Sequence, residues 1–88
     1  QGFWAGDETY DVEIRFHRDV AQLVREREPQ ERLTEMPDGG LLLRRTVRNE
    51  DEIYYELLRY GHWAEVVRPQ ALRDKLKAEA EKIVKMYA

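Results

Sequence analysis

The residue types that most often carry out covalent chemistry are missing from this chain. It contains neither Cys nor Ser, so no thiol or serine hydroxyl is present to act as a nucleophile. The tripeptide His17-Arg18-Asp19 spells the catalytic-loop motif of kinases, but no other kinase motif accompanies it and 88 residues are far too few. The simpler interpretation is that Asp19 lies at the start of a helix, where the positive end of the helix dipole stabilises its negative charge. We therefore expect no catalytic residue and no enzymatic activity.

Metal and phosphate sites are also poorly supported by the residue spacing. His17 and His62 are the only histidines, and neither has a second His or a close acidic residue at metal-ligand spacing. Gly39-Gly40 is not followed by the Lys-Ser/Thr pair of a phosphate-binding loop. The acidic residues alternate on faces that we expect to be exposed. The sequence thus predicts no metal and no cofactor.

A binding surface rich in arginine is a better hypothesis. Arginine beside an aromatic ring on an open sheet face can hold single-stranded nucleic acid or other anions. The candidate ligand-binding residues are Arg15, Arg44, Arg45, Arg48 and Trp63. The simpler interpretation, which we favour, is an ordinary charged face neutralised by Asp11 and Glu13. The strand that carries most of these arginines has no aromatic residue, unlike an RNA-recognition domain.

Changes in hydrophobic period predict the elements that would position these side chains. Residues 10–16 alternate apolar and charged side chains, which is typical of a half-buried strand. A helix of about three turns follows up to Pro29, and residues 32–36 and 41–47 form a hairpin around Asp38-Gly39-Gly40. Asn49, with Glu52 three residues on, is typical of a capping box that begins a helix ending at Gly61.

Two further elements complete the predicted fold. Residues 63–68 favour a fourth strand, with Trp63 pointing outward on a sheet edge, and Pro69 opens a final amphipathic helix. The order predicts an α+β fold, a ferredoxin-like βαββαβ antiparallel sandwich with an additional C-terminal helix. In this fold the first and third strands are central neighbours, so their outward side chains face one another. The outward residues of the first strand are Asp11, Glu13 and Arg15, and we expect them to face Arg44, Thr46 and Arg48 of the third strand.

Arg45 conflicts with this pattern because the alternation points it inward. An unpaired buried guanidinium would cost several kcal/mol. Three explanations remain open: Arg45 reaches solvent at the rim, which we favour, or the strand bulges, or Arg45 belongs to a site shared with another domain.

The final helix carries an apolar stripe that must be covered. Its members are spaced at helical intervals, and we assign them as candidate oligomer contacts: Leu72, Leu76, Ile83 and Tyr87. The stripe is buried either on the edge of the same domain or on a partner copy in a homodimer.

Length and composition limit the classes of protein to consider. Eighty-eight residues support one domain, and a net charge of −3 argues against a protein that mainly neutralises DNA phosphates. The absence of Cys fits a reducing compartment. No apolar run approaches a membrane span of about 20 residues, so we expect no membrane partner and a cytoplasmic location. Because the chain begins at Gln1 rather than Met, we expect it to be part of a longer protein.

Several segments together resemble one family of bacterial regulators. Residues 3–6 look like the closing stretch of a WYL domain, and the rest of the chain is similar to the WYL C-terminal extension called WCX. The similar segments are the strand 10–16, Val20-Ala21, Gln30-Glu31-Arg32-Leu33, Asp38-Gly39-Gly40, Tyr60-Gly61, residues 64–69 and the helix ending in Tyr87. We therefore assign residues 1–9 to the end of a preceding WYL domain or a linker, and residues 10–88 to the WCX domain.

The resemblance implies a bacterial transcription regulator with three parts. Its relatives carry an N-terminal helix-turn-helix that binds DNA, a WYL domain that senses an effector, and this extension, which helps in dimer contacts and in shaping the effector site. The effector it implies is a nucleotide or a single-stranded nucleic acid, and DNA is contacted only through the N-terminal domain. Two other hypotheses stay open: a small-molecule-binding module of a metabolic protein, and an independent RNA-binding module.

Overall fold

The computed structural model describes residues 9–88, and the predicted order of elements is confirmed within them. The strands are β1 (Tyr10–Phe16), β2 (Leu33–Glu35), β3 (Leu41–Val47) and β4 (Ala64–Arg68). The helices are α1 (Ala21–Arg27), α2 (Asp51–Tyr60) and α3 (Gln70–Met86). Short 3-10 turns occur at Arg18–Val20, Gln30–Arg32 and Gly61–Trp63. The interpretation of residues 1–8 as the end of another domain lies outside the described residues.

The strands form one antiparallel sheet in the order β2-β3-β1-β4, which is the ferredoxin-like arrangement. β1 and β3 are the central pair, as predicted. Glu13 lies opposite Arg44, and Asp11 lies opposite Thr46, so acid faces base or hydroxyl across this pair. The expectation was wrong for Arg15, which lies opposite Leu42.

Alternation along the central strands places one face of the sheet in the core. On β1, Val12, Ile14 and Phe16 are buried, whereas the residues between them point toward the open face. Ala21 and Val24 of α1 and several residues of α2 cover this buried face, and Leu72 of α3 joins the same cluster. The opposite face carries no helix among the described residues, which leaves its charged side chains open to a ligand.

The local signals for turns and caps operate as the sequence predicts, with one shift. In the hairpin, Gly39 adopts a positive φ of 90°, and Asp38 Oδ1 accepts a hydrogen bond from Gly40 N–H at 2.8 Å. Before α2, Asn49 Oδ1 accepts from Glu52 N–H at 3.3 Å. The reciprocal bond of the capping box is displaced by one residue, because Glu52 Oε1 accepts from Arg48 N–H at 3.0 Å.

Candidate ligand-binding groove and terminal helix

Glu13 is the centre of the charged network on the open face of the sheet. Its Oε2 lies 2.9 Å from Arg68 Nη2 and 3.2 Å from Arg44 Nε. The Glu13 side chain is only 13% exposed, whereas both arginines extend into solvent. One carboxylate is therefore shared by two guanidinium groups, and a positive charge is left over at this point.

A β-bulge brings Arg68 to this position. The pairing of β1 with β4 changes from Ile14 opposite Val66 to Glu13 opposite Arg68, so Val67 has no partner. Simple alternation from the buried Val66 would point Arg68 into the core. The extra residue instead turns Arg68 toward the open face, which is a common effect of bulges. Sequence reasoning missed Arg68 because nothing in the local pattern marks a bulge.

An open groove of about 500 Å³ surrounds this network. Its lining residues include four arginines and two acids. Two of these arginines have carboxylate partners outside the lining, since Arg32 and Arg45 both pair with Glu28, so the positive charge of the groove comes from Arg44 and Arg68. Arg32 was also missed by the sequence analysis, since it precedes the short edge strand β2. The groove is lined by Asp11, Val12, Glu13, Arg32, Arg44, Arg45, Thr46 and Arg68.

Arg45 is the inward-pointing arginine that the alternation predicts, and it is paired. Its Nη1 lies 3.6 Å from Glu28 Oε2 and 3.4 Å from Glu56 Oε2, so it joins the sheet to the end of α1 and to α2. The side chain is 22% exposed, which agrees with the favoured position at the rim. The bulge that was considered for this strand lies in β4 instead.

The remaining candidate residues are not gathered in the groove. Arg15 pairs with Glu65 on β4, at 3.1 Å. Arg48 follows the end of β3, so it does not face β1 as expected. Trp63 belongs to the 3-10 turn before β4 rather than to the strand, because Gly61 ends α2 and the chain needs one more turn before it becomes extended. Its ring lies beside that of His62, with the centroids 4.7 Å apart.

The terminal helix is divided into an anchored half and an exposed half. Leu72 is 0% exposed, and Leu76 packs against the same core. Both belong to this chain's own core, so Leu72 is not available as the oligomer contact that we predicted. Ile83 and Tyr87 are exposed, the latter by 82%. All residues from 81 to 88 are exposed, which leaves the apolar stripe uncovered only in the last two turns.

A polar network fixes the anchored half of α3 to α2. The hydroxyl of Tyr54 donates to Glu79 at 3.3 Å. Lys75 lies 4.5 Å from the centre of the Tyr54 ring and 3.4 Å from Asp51. Burial raises the pKa of Tyr54 above its ordinary value of 10.0, and the negative charge of Glu79 raises it further.

The described residues contain no cluster of three or more His, Cys, Asp or Glu side chains that could hold a metal ion. His17 has a local role, since its Nδ1 accepts a hydrogen bond from Asp19 N–H at 3.0 Å and so caps the first turn after β1. Within residues 9–88, no helix has the length and apolar character needed to cross a membrane.

Comparison with known protein families identifies the family of this chain. A search of curated proteins found no match. The profile of the WCX domain matches residues 8–84, which is most of the chain and includes every strand of the sheet. The chain therefore belongs to the WCX domain family.

Proposed function

We propose that this chain is the non-enzymatic C-terminal regulatory and dimerisation domain of a cytoplasmic WYL-type helix-turn-helix transcription regulator. The domain contributes contacts between two copies and part of an effector-responsive surface. WYL and helix-turn-helix domains of the same parent chain are its partners, and DNA is bound only through the latter. Membership of the WCX family supports this role.

The exposed end of α3 is the observation that carries the dimer contact. Ile83, Val84, Met86 and Tyr87 are all exposed on a helix whose first half is fixed in the core. Several exposed apolar side chains close together at the end of a helix are typical of a protein–protein contact. A two-fold dimer in which the ends of both helices meet covers the same side chains on each copy.

Sedimentation equilibrium of the 88-residue chain tests this contact. We expect a dimer that dissociates on dilution, and Ile83→Glu should weaken it at least about tenfold, because a carboxylate replaces an apolar side chain at the interface. Ala78→Glu is the matched control, since it introduces the same charge at an exposed position on another face of α3. A monomer at every concentration, or equal weakening by both variants, would refute the dimer.

The arginine groove supports an anionic effector, and a nucleotide or single-stranded nucleic acid has the required phosphates. Arg44 and Arg68 project from the sheet with only Glu13 to neutralise them. A phosphate with its greater charge can compete with one carboxylate for such a pair.

Titration with a nucleotide and with a single-stranded oligonucleotide tests the groove. Binding should weaken steeply with salt, and Arg44→Ala and Arg68→Ala should each lower the affinity by about tenfold. Arg25→Ala is the control, because Arg25 pairs with Glu35 beside the hairpin and does not line the groove. Flat titrations at low salt would exclude this effector class. An enzyme encoded in frame before this region would favour the metabolic module instead.

A further inference from the structure

A small notch opens between α1 and α2, away from the arginine groove and from the free end of α3. Leu23 and Arg27 of α1 form one wall, and Arg59 and Tyr60 of α2 form the other. Trp63 also lines it. The volume is about 130 Å³, close to that of an apolar cavity of about 150 Å³ that holds a benzene molecule. It therefore fits one branched or aromatic side chain.

The apolar part of the notch lining is accessible. Leu23 and Trp63 are each 39% exposed, although both are large hydrophobic residues. Tyr60 is buried and held in place by an edge-on contact with Phe16, with the ring centroids 5.0 Å apart. Because the Tyr60 ring is already fixed, this part of the lining loses little conformational entropy when a ligand covers it.

The rim of the notch is positively charged. Across residues 9–88, neither Arg27 nor Arg59 forms a salt bridge or a side-chain hydrogen bond. Glu56 also lines the notch, but its carboxylate is already paired with Arg45. Most other arginines of the described chain have a carboxylate partner, so two unpaired arginines on one apolar notch form a distinct arrangement.

We infer that this notch binds an acidic peptide segment of a partner protein or domain. One bulky apolar side chain of the peptide enters the notch, and flanking carboxylates pair with Arg27 and Arg59. The free end of α3 from a second copy does not suit the site, because residues 81–88 carry two lysines against one glutamate. This contact is separate from the dimer contact and from the groove, so failure of either one would leave it unaffected.

The test uses Trp63 as the reporter in the 88-residue chain with Trp4→Phe, which removes the only other tryptophan. The probe is the capped peptide Asp-Glu-Leu-Asp-Glu. One control peptide has Lys at the acidic positions, and the other has Gly in place of Leu. We expect the acidic leucine peptide to change the Trp63 emission with saturation, and both control peptides to bind at least about tenfold more weakly.

Charge-reversal variants test the rim directly. Arg27→Glu and Arg59→Glu should each weaken the peptide by about tenfold or more, with unchanged circular dichroism because both side chains are exposed. Lys82→Glu changes the net charge equally on the exposed end of α3 and should leave the affinity unchanged.

Four outcomes overturn the inference. They are no response to millimolar acidic peptide, equal binding of the lysine peptide, equal affinity in the reversal variants, and Trp63 emission that changes with protein concentration in the absence of peptide. The last would show that a second copy occupies the notch.

Discussion

The burial of Leu72 places the first half of α3 in the core of its own domain. The side chain is 0% exposed, and α3 packs on both β4 and α2. Truncation of a fully buried leucine loses the transfer free energy of the removed carbons and leaves a cavity, so Leu72→Ala should lower the free energy of unfolding by about 2–5 kcal/mol. Since 1 kcal/mol shifts the Tm of a domain this size by roughly 4–8 °C, Tm should fall by at least about 8 °C.

Urea and thermal unfolding followed by circular dichroism measure this effect at two protein concentrations. Ile83→Ala is the matched control, because Ile83 lies on the same helix beyond its anchored half and should cost less than about 0.5 kcal/mol in the monomer. If Leu72→Ala costs less than about 1 kcal/mol, or if its cost depends on protein concentration, α3 is held by a partner copy and the reasoning is wrong.

Three other changes test contacts within the domain. In a spectrophotometric titration, Tyr54 should ionise above pH 10. Because its pKa is raised in the folded state, stability is lost as the pH rises through that range, and Tyr54→Phe should reduce the loss. Gly40→Ala should destabilise the domain by about 1–3 kcal/mol in urea unfolding, because the new Cβ meets the carbonyl oxygen of Phe16, which belongs to the backbone and cannot rotate away. Arg45→Met keeps most of the length of the side chain but leaves two carboxylates without this cation. It should lower the free energy of unfolding by about 1–3 kcal/mol, which lies between the values for exposed and buried ion pairs. Stability equal to that of the parent would show that the pairs contribute nothing.

Local signals were sufficient to predict the elements and their order. The alternation in residues 10–16 defines β1 to the residue, and the glycines after Asp38 define the hairpin. Each of these features depends on residues close together in sequence. Knowledge of the element order then limits the sheet to a few topologies, which is why the antiparallel central pairing of β1 with β3 could be predicted.

Contacts between distant residues account for what was missed. The bulge at Val67 depends on how β4 fits beside β1, and the strand sequence itself gives no sign of it. Trp63 was assigned to the strand because it opens a short run rich in β-branched residues, but the end of α2 at Gly61 places it in a turn. The stripe on α3 looked uniform in sequence, although Leu72 meets the sheet and Tyr87 does not.

The two positive sites differ in what a ligand must displace. In the groove, Arg44 and Arg68 already share Glu13. The net binding energy of an anion is therefore only the amount by which its own ion pairs are stronger than these existing ones. This arrangement favours a ligand of greater charge, such as a phosphate, over a single carboxylate. In the notch, Arg27 and Arg59 have no such internal competitor, and a carboxylate can pair with them without replacing one. The same side-chain type can therefore serve a phosphate at one face and an acidic peptide at the other, because the nearby acids differ.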